Sequence, residues 1–125
     1  MMAYSLAVAL GGALGAVSRF WVISALSALA PHRFPWGTLV VNVLGSLLIG
    51  ALYVLMTERL ALNEQWRAVL VVGFLGAFTT FSTFSLDALL LAQEGLFGQA
   101  VLYVTGSVVL CLLSAWGGIA LMRVI

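Results

Sequence analysis

Charge is what this sequence has least of. Only 7% of its 125 residues are Asp, Glu, Lys or Arg, five basic against four acidic, whereas a soluble domain carries about 25%. The formal net charge of +1 leaves no basic surface for nucleic acid and no polybasic patch for anionic headgroups. Cysteine is nearly absent too. Cys111 stands alone in an apolar segment, so no disulfide can form within one chain. No cluster of His and Cys, no Ser/His/Asp set at membrane depth, no phosphate loop and no central pair of carboxylates is present, which ranks an intramembrane enzyme low.

What the chain does have is apolar length. Hydrophobic residues make up 64% of it and the mean hydropathy is +1.21, the composition of an integral membrane protein. Four apolar segments, at about 4–29, 37–57, 65–91 and 98–123, each reach the roughly 20 residues a bilayer core requires. The connectors are Ala30 to Trp36, with Pro31 and Pro35, then Glu58 to Glu64, then Ala92 to Phe97. None can hold a domain, so the expectation is an all-α bundle of four transmembrane helices in one domain, 1–125. The N-terminal run ends in a small-x-small triplet, Ala28-Leu29-Ala30, but lacks a basic region before it and exceeds a signal peptide's apolar core. It is expected to be a retained first span.

The third segment is unlike the others. Gly73 to Ser85 reads GFLGAFTTFSTFS, with two glycines, three threonines, two serines and four phenylalanines. A helix that only meets lipid has no use for a block of hydroxyls, each needing an internal partner. The segment is also long: roughly 27 residues at ~1.5 Å give about 40 Å against a core of ~30 Å. Tilt absorbs such an excess. A break near Gly76 to Thr80 absorbs it as well, and the composition favours the break, since discontinuous helices mark ion sites in transport proteins.

Polar residues recur on faces of the neighbouring spans. Thr38, Asn42 and Ser46 are spaced by four in the second, and Tyr103, Ser107, Cys111 and Ser114 draw a stripe of hydroxyl and thiol along the fourth. Asn42 serves equally well as interhelical glue or as part of a site. Phe78, Phe81 and Phe84 recur every three residues, with Thr80, Ser82, Thr83 and Ser85 between them. Aromatic edges are electropositive, and hydroxyls and amides donate hydrogen bonds. Together they describe a neutral pathway for a small anion, against the plainer reading of rings that fill a bundle core. Arg19, well inside the first span, either draws an anion into a vestibule or pairs with Asp87 or a helix C-terminus. Asp87 itself reads as structural, because a carboxylate repels an anion. Gly11, Gly12, Gly15, Gly45 and Gly118 read as close-packing positions.

Orientation is weakly specified: Arg59, Arg67 and Arg123 fall on the side of the termini and Arg33 opposite. A small proton-coupled multidrug-type exporter has this size, but it needs a titratable acid at mid-span, and the first span has neither Asp nor Glu. A non-transporting structural membrane protein is the third class.

GGALGAVSRF at 11–20, GTLVVNVLGS at 37–46 and GFLGAFTTFSTFS at 73–85 closely resemble the signatures of the Fluc (CrcB) fluoride channel family, in order and spacing. The resemblance implies a passive fluoride-selective channel of the cytoplasmic (inner) membrane that exports F⁻ and relieves its toxicity. It implies an antiparallel homodimer of dual topology, the partner being a second identical chain in the opposite orientation. By the same resemblance Phe81 and Phe84 line the pore, Asn42 is the pore asparagine, Ser82 and Thr83 add hydroxyls, and Tyr103 and Ser107 belong to a polar track. Arg19 matches the family arginine of the first span. A structural Na⁺ at the dimer interface is implied on the backbone carbonyls of Gly76 and Thr79. Cys111 departs from the pattern, since some members carry Ser there. A thiol is the weaker donor, so the track is expected to be less polar at that point.

Overall fold

The computed structural model describes residues 1–30 and 33–125; Pro31 and His32 of the first connector lie outside the described residues. Among the described residues four helices are long and apolar enough to cross a membrane: Met2–Leu29, Trp36–Arg59, Glu64–Gln93 and Phe97–Val124. They are the first to fourth spans of a multi-pass membrane protein. Large apolar side chains point outward from every span, among them Leu10, Phe20, Trp21, Val72, Leu102 and Leu112. A helix that is apolar all round is stable only where its surroundings are also apolar.

The helix ends follow local chemistry. Asn63 caps the third span by accepting the Trp66 N–H at 3.1 Å. At its far end Gly95 takes φ +79°, the Gly95 N–H donates to Ala92 C=O at 3.1 Å and the Leu96 N–H to Leu91 C=O at 2.9 Å. These two bonds form a Schellman stop, and Leu96 packs against the core cluster that includes Leu91. At the opposite end of the bundle Arg59 donates to the carbonyls of Met122 and Arg123, at 2.9 and 3.3 Å, satisfying acceptors that the fourth helix leaves open. Arg123 pairs with Glu58 at 2.8 Å.

Backbone contact between spans depends on glycine. A Cβ at Gly11 would collide with the Val69 carbonyl oxygen, and one at Gly15 with that of Phe74, so the first and third spans meet with no side chain between them. The second and fourth spans do the same. A Cβ at Gly50 would strike the Ala115 carbonyl and one at Gly118 the Leu47 carbonyl. Close backbone approach replaces the hydrophobic driving force that lipid does not supply. Gly118→Val should therefore lower the melting temperature of the purified protein in detergent, the overpacking costing about 1–3 kcal/mol. Gly117→Val, with nothing within 4 Å of its Cβ, should shift it far less. Equal shifts would show that the interspan contact does not matter.

The third span is not uniform. Residues Ala68–Leu75 form wider π-helical turns, where the Val69 and Phe74 carbonyls meet the glycine face of the first span. After the short turn Gly76–Phe78 the backbone of Thr79 (φ −84°, ψ 158°) and Thr80 (φ −152°, ψ 119°) is extended. Helical geometry resumes at Phe81 and runs to Gln93. Thr80 caps the new start, its hydroxyl oxygen accepting the Thr83 N–H at 3.2 Å.

Candidate functional site

The two extended residues disturb the hydrogen-bond ladder at membrane depth, where a lost bond has no water to replace it. In a continuous helix the Thr80 N–H would bond to the Gly76 carbonyl. Here it donates to Asn42 Oδ1 at 2.8 Å, and Asn42 Nδ2 donates to the Thr80 carbonyl at 3.0 Å. One side-chain amide from the second span thus satisfies both backbone groups of one residue in the third. Asn42 retains one more Nδ2 hydrogen. Room for the turn comes from Gly45, where a Cβ would collide with the Thr79 methyl.

A cavity of about 410 Å³ opens beside this clasp, walled by the second, third and fourth spans. Asn42, Gly76, Thr79, Phe81, Phe84, Ser107 and Cys111 all line it. Most of the residues singled out in the sequence are therefore gathered at one place. Phe81 stands at the open side with 77% of its surface exposed, whereas Phe84 is 9% exposed. Their ring centroids are 5.4 Å apart at 48°. Ile49, Val71, Leu75 and Val108 complete an otherwise apolar wall.

Most hydroxyl hydrogens around Thr79 and Thr80 are already committed. Thr79 Oγ1 donates to the Leu75 carbonyl at 2.8 Å, Ser46 Oγ to the Asn42 carbonyl at 2.7 Å and Ser85 Oγ to the Phe81 carbonyl at 2.9 Å. These are i−4 back-bonds of the kind expected in membrane helices. Thr80 Oγ1 lies 3.1 Å from Thr83 Oγ1 and 3.3 Å from Ser82 Oγ. Ser107 differs from all of these. It is 5% exposed, and its Oγ is the buried side-chain polar atom without a partner among the described residues. An unmatched donor on a cavity wall marks where a polar guest gains most.

Tyr103, Ser82, Thr83 and Arg19 are not on this wall. Tyr103 is 1% exposed; its ring meets Phe84 at 5.2 Å and Phe34 edge-on at 5.5 Å. Its hydroxyl donates to Asp87 Oδ2 at 3.2 Å. Thr83 and Asp87 instead border a second, smaller cavity of about 220 Å³ near Arg33, Trp36 and Thr38. Arg19 is half-buried and makes no ion pair among the described residues. Asp87 accepts from Tyr103, and no pairing of Arg19 with it is formed among the described residues. Ser82 is exposed.

Sequence reasoning missed the Asn42–Thr80 clasp, the role of Gly45 and the π-helical turns. The spacing of Asn42 and Gly45 within GTLVVNVLGS carried a trace of the first two, since an amide and a gap one turn apart suit a neighbouring backbone that leaves its helix.

The profile of the family described as CrcB-like protein, Camphor Resistance (CrcB), matches residues 6–119. The chain belongs to the CrcB family. A curated relative from Hahella chejuensis, named fluoride-specific ion channel FluC, is 52% identical over 118 residues, which cover 94% of this chain and 93% of that protein. One from Magnetococcus marinus with the same name is 50% identical over 118 residues, covering 94% and 96%. A third of that name, from Methylococcus capsulatus, is 54% identical over 117 residues; it is the longer protein, and the matched 94% of this chain covers 51% of it.

Proposed function

We propose that this CrcB-family chain is a passive fluoride channel, not an enzyme, that lets F⁻ leave across the cytoplasmic membrane and so relieves its toxicity. The observation that carries the reading is the cavity where Phe81, Phe84, the Asn42 amide and the unpartnered Ser107 hydroxyl converge at a non-helical point of the third span. Dehydrating a small anion requires donors in place of water. Ser107 Oγ–H and the second Nδ2 hydrogen of Asn42 are such donors, and the ring edges of Phe81 and Phe84 add positive potential without a formal charge. Among the described residues no ammonium or guanidinium lines the cavity, so an anion passing through meets no charge there that would trap it. Tyr103, Ser82 and Thr83 extend the polar path beyond the cavity, and Arg19 stands toward a vestibule.

In this reading Thr79–Thr80 is a functional break of the third span, and two chains assemble in opposite orientations. An extended backbone at membrane depth, beside a cavity that opens outward, is tolerated only if protein covers it or water fills the space. The exposed Phe81 and the open side of the cavity offer the surface a second copy covers. A two-fold axis in the membrane plane would bring the two breaks together. There the Gly76 carbonyl, released from Thr80, and the Thr79 carbonyl are oxygen donors of the kind hard cations take. They fit a structural Na⁺, which would supply positive charge between the chains.

The chain's only primary amine is its N-terminus, since all five basic residues are arginine. In sealed membranes an impermeant amine reagent should therefore label about half of the chains if both orientations pair; labelling of all or none would contradict dual topology. Removing Na⁺ by dialysis should weaken the dimer or its flux, and a loss of neither would remove Gly76 and Thr79 from the assignment. Fluoride efflux from liposomes holding the protein should proceed with a counter-ion shunt and be indifferent to a proton gradient. Strict dependence on that gradient would instead favour the small proton-coupled exporter.

A further inference from the structure

Cys111 is the one side chain on the cavity wall that can form a covalent bond under mild conditions. It is partly exposed and unbridged, and it lies one helical turn beyond Ser107 on the same face. Both residues line the same cavity. Ser107 is 5% exposed and its hydroxyl has no partner among the described residues, which independently points to a guest in that space: a polar atom buried this deeply is normally satisfied by a neighbour, a water or a ligand. On this cavity wall Ser107 stands with Val108, Phe84 and the Cys111 thiol.

We propose that Cys111 is a modification site reached through the cavity, taking small sulfur electrophiles of the disulfide and thiosulfonate class. The consequence for conduction rests on the fluoride-channel reading; the site itself does not. The thiolate is the reacting form. With a methanethiosulfonate, Cys111 Sγ attacks the sulfenyl sulfur and a new S–S bond forms. The S–SO₂ bond breaks, its electron pair leaving on methanesulfinate, and the thiol proton passes to water. Cys111 is oxidised to the mixed disulfide and the sulfonyl sulfur is reduced to the sulfinate. A thiol reductant reverses the modification by exchange. The added group projects from the fourth span into the space between Ser107, Phe81 and Phe84, where an anion would otherwise pass.

The test uses the full chain, folded in detergent and in liposomes, with methyl methanethiosulfonate as probe and intact mass as the readout. One methylthio group per chain is expected on the folded protein and none on Cys111→Ser. A polymer-linked maleimide should react far more slowly with the folded chain, because the cavity excludes it, and at a normal rate after denaturation. Absence of the small label on the folded chain, with full labelling in denaturant, would overturn the proposal. Equal rates for the small and the bulky reagent would do so too, since Cys111 would then be open surface. In liposomes the labelled protein should pass fluoride about tenfold or more slowly than before, because a narrowed pathway conducts poorly, and dithiothreitol should restore the rate. Cys111→Ser, whatever its own rate, should be the same before and after treatment. Full labelling with unchanged efflux would remove Cys111 from the pathway. A protein that passes no fluoride before treatment would overturn the channel reading, while the mass measurement would still decide the site.

Discussion

Asn42→Ala should abolish most fluoride flux while the four spans remain folded. The substitution strips the partners from both the N–H and the carbonyl of Thr80. An unsatisfied buried backbone group costs about 1–3 kcal/mol, and every 1.4 kcal/mol is about tenfold in a population. The cheapest relief is for Thr79 and Thr80 to return toward helical geometry, where the Thr80 N–H regains the Gly76 carbonyl. That change makes Thr79 and Thr80 helical and swings Phe81 and Phe84 away from the cavity. Asn42→Asp separates the two contributions, since it keeps an acceptor for the Thr80 N–H but loses the donor to the carbonyl and adds a negative charge. Both variants should pass fluoride at least about tenfold more slowly, with the aspartate the more impaired. Efflux from liposomes measured beside melting temperature checks this. Normal flux in Asn42→Ala would mean that the clasp neither holds the break nor serves the ion.

The phenylalanines carry the second large effect. Phe81→Ile and Phe84→Ile keep bulk and remove the polarised ring edge. Fluoride flux should fall by about tenfold or more in each. Their stabilities should differ. Phe84 packs on Tyr103 within the cluster that includes Leu91 and Ala100, so its loss should lower the melting temperature by the ~1 kcal/mol typical of a reshaped core. Phe81 is exposed in the single chain, and its replacement should leave the fold of that chain intact. Unchanged flux in both variants would return the rings to simple packing.

How much of this was legible in the sequence depended on what each signal encodes. The four spans were plain from hydropathy, because a bilayer demands apolar length regardless of context. The third span's glycines and threonines announced something other than a lipid-facing helix. Where its backbone would turn, and into what, depended on Asn42, 38 residues away. A buried amide demands partners, and nothing local names them. The wide turns of Ala68–Leu75 were invisible, since one extra residue per turn over so short a stretch leaves the apolar pattern unchanged. Arg19 and Asp87 were compatible charges, but charge alone does not say which groups the fold brings together, and the partner of Asp87 is Tyr103. The tyrosine–serine stripe of the fourth span was legible as a spacing, yet its members divide: Ser107 and Cys111 line the cavity while Tyr103 sits within the core.

The central claim is that the space beside the Asn42–Thr80 clasp conducts fluoride and rejects other halides. The most direct test is to load liposomes holding the purified protein with fluoride and chloride together and follow both ions as a counter-ion shunt is opened. Fluoride should leave down its gradient while chloride stays inside. Release of both at similar rates, or retention of fluoride, would contradict the account.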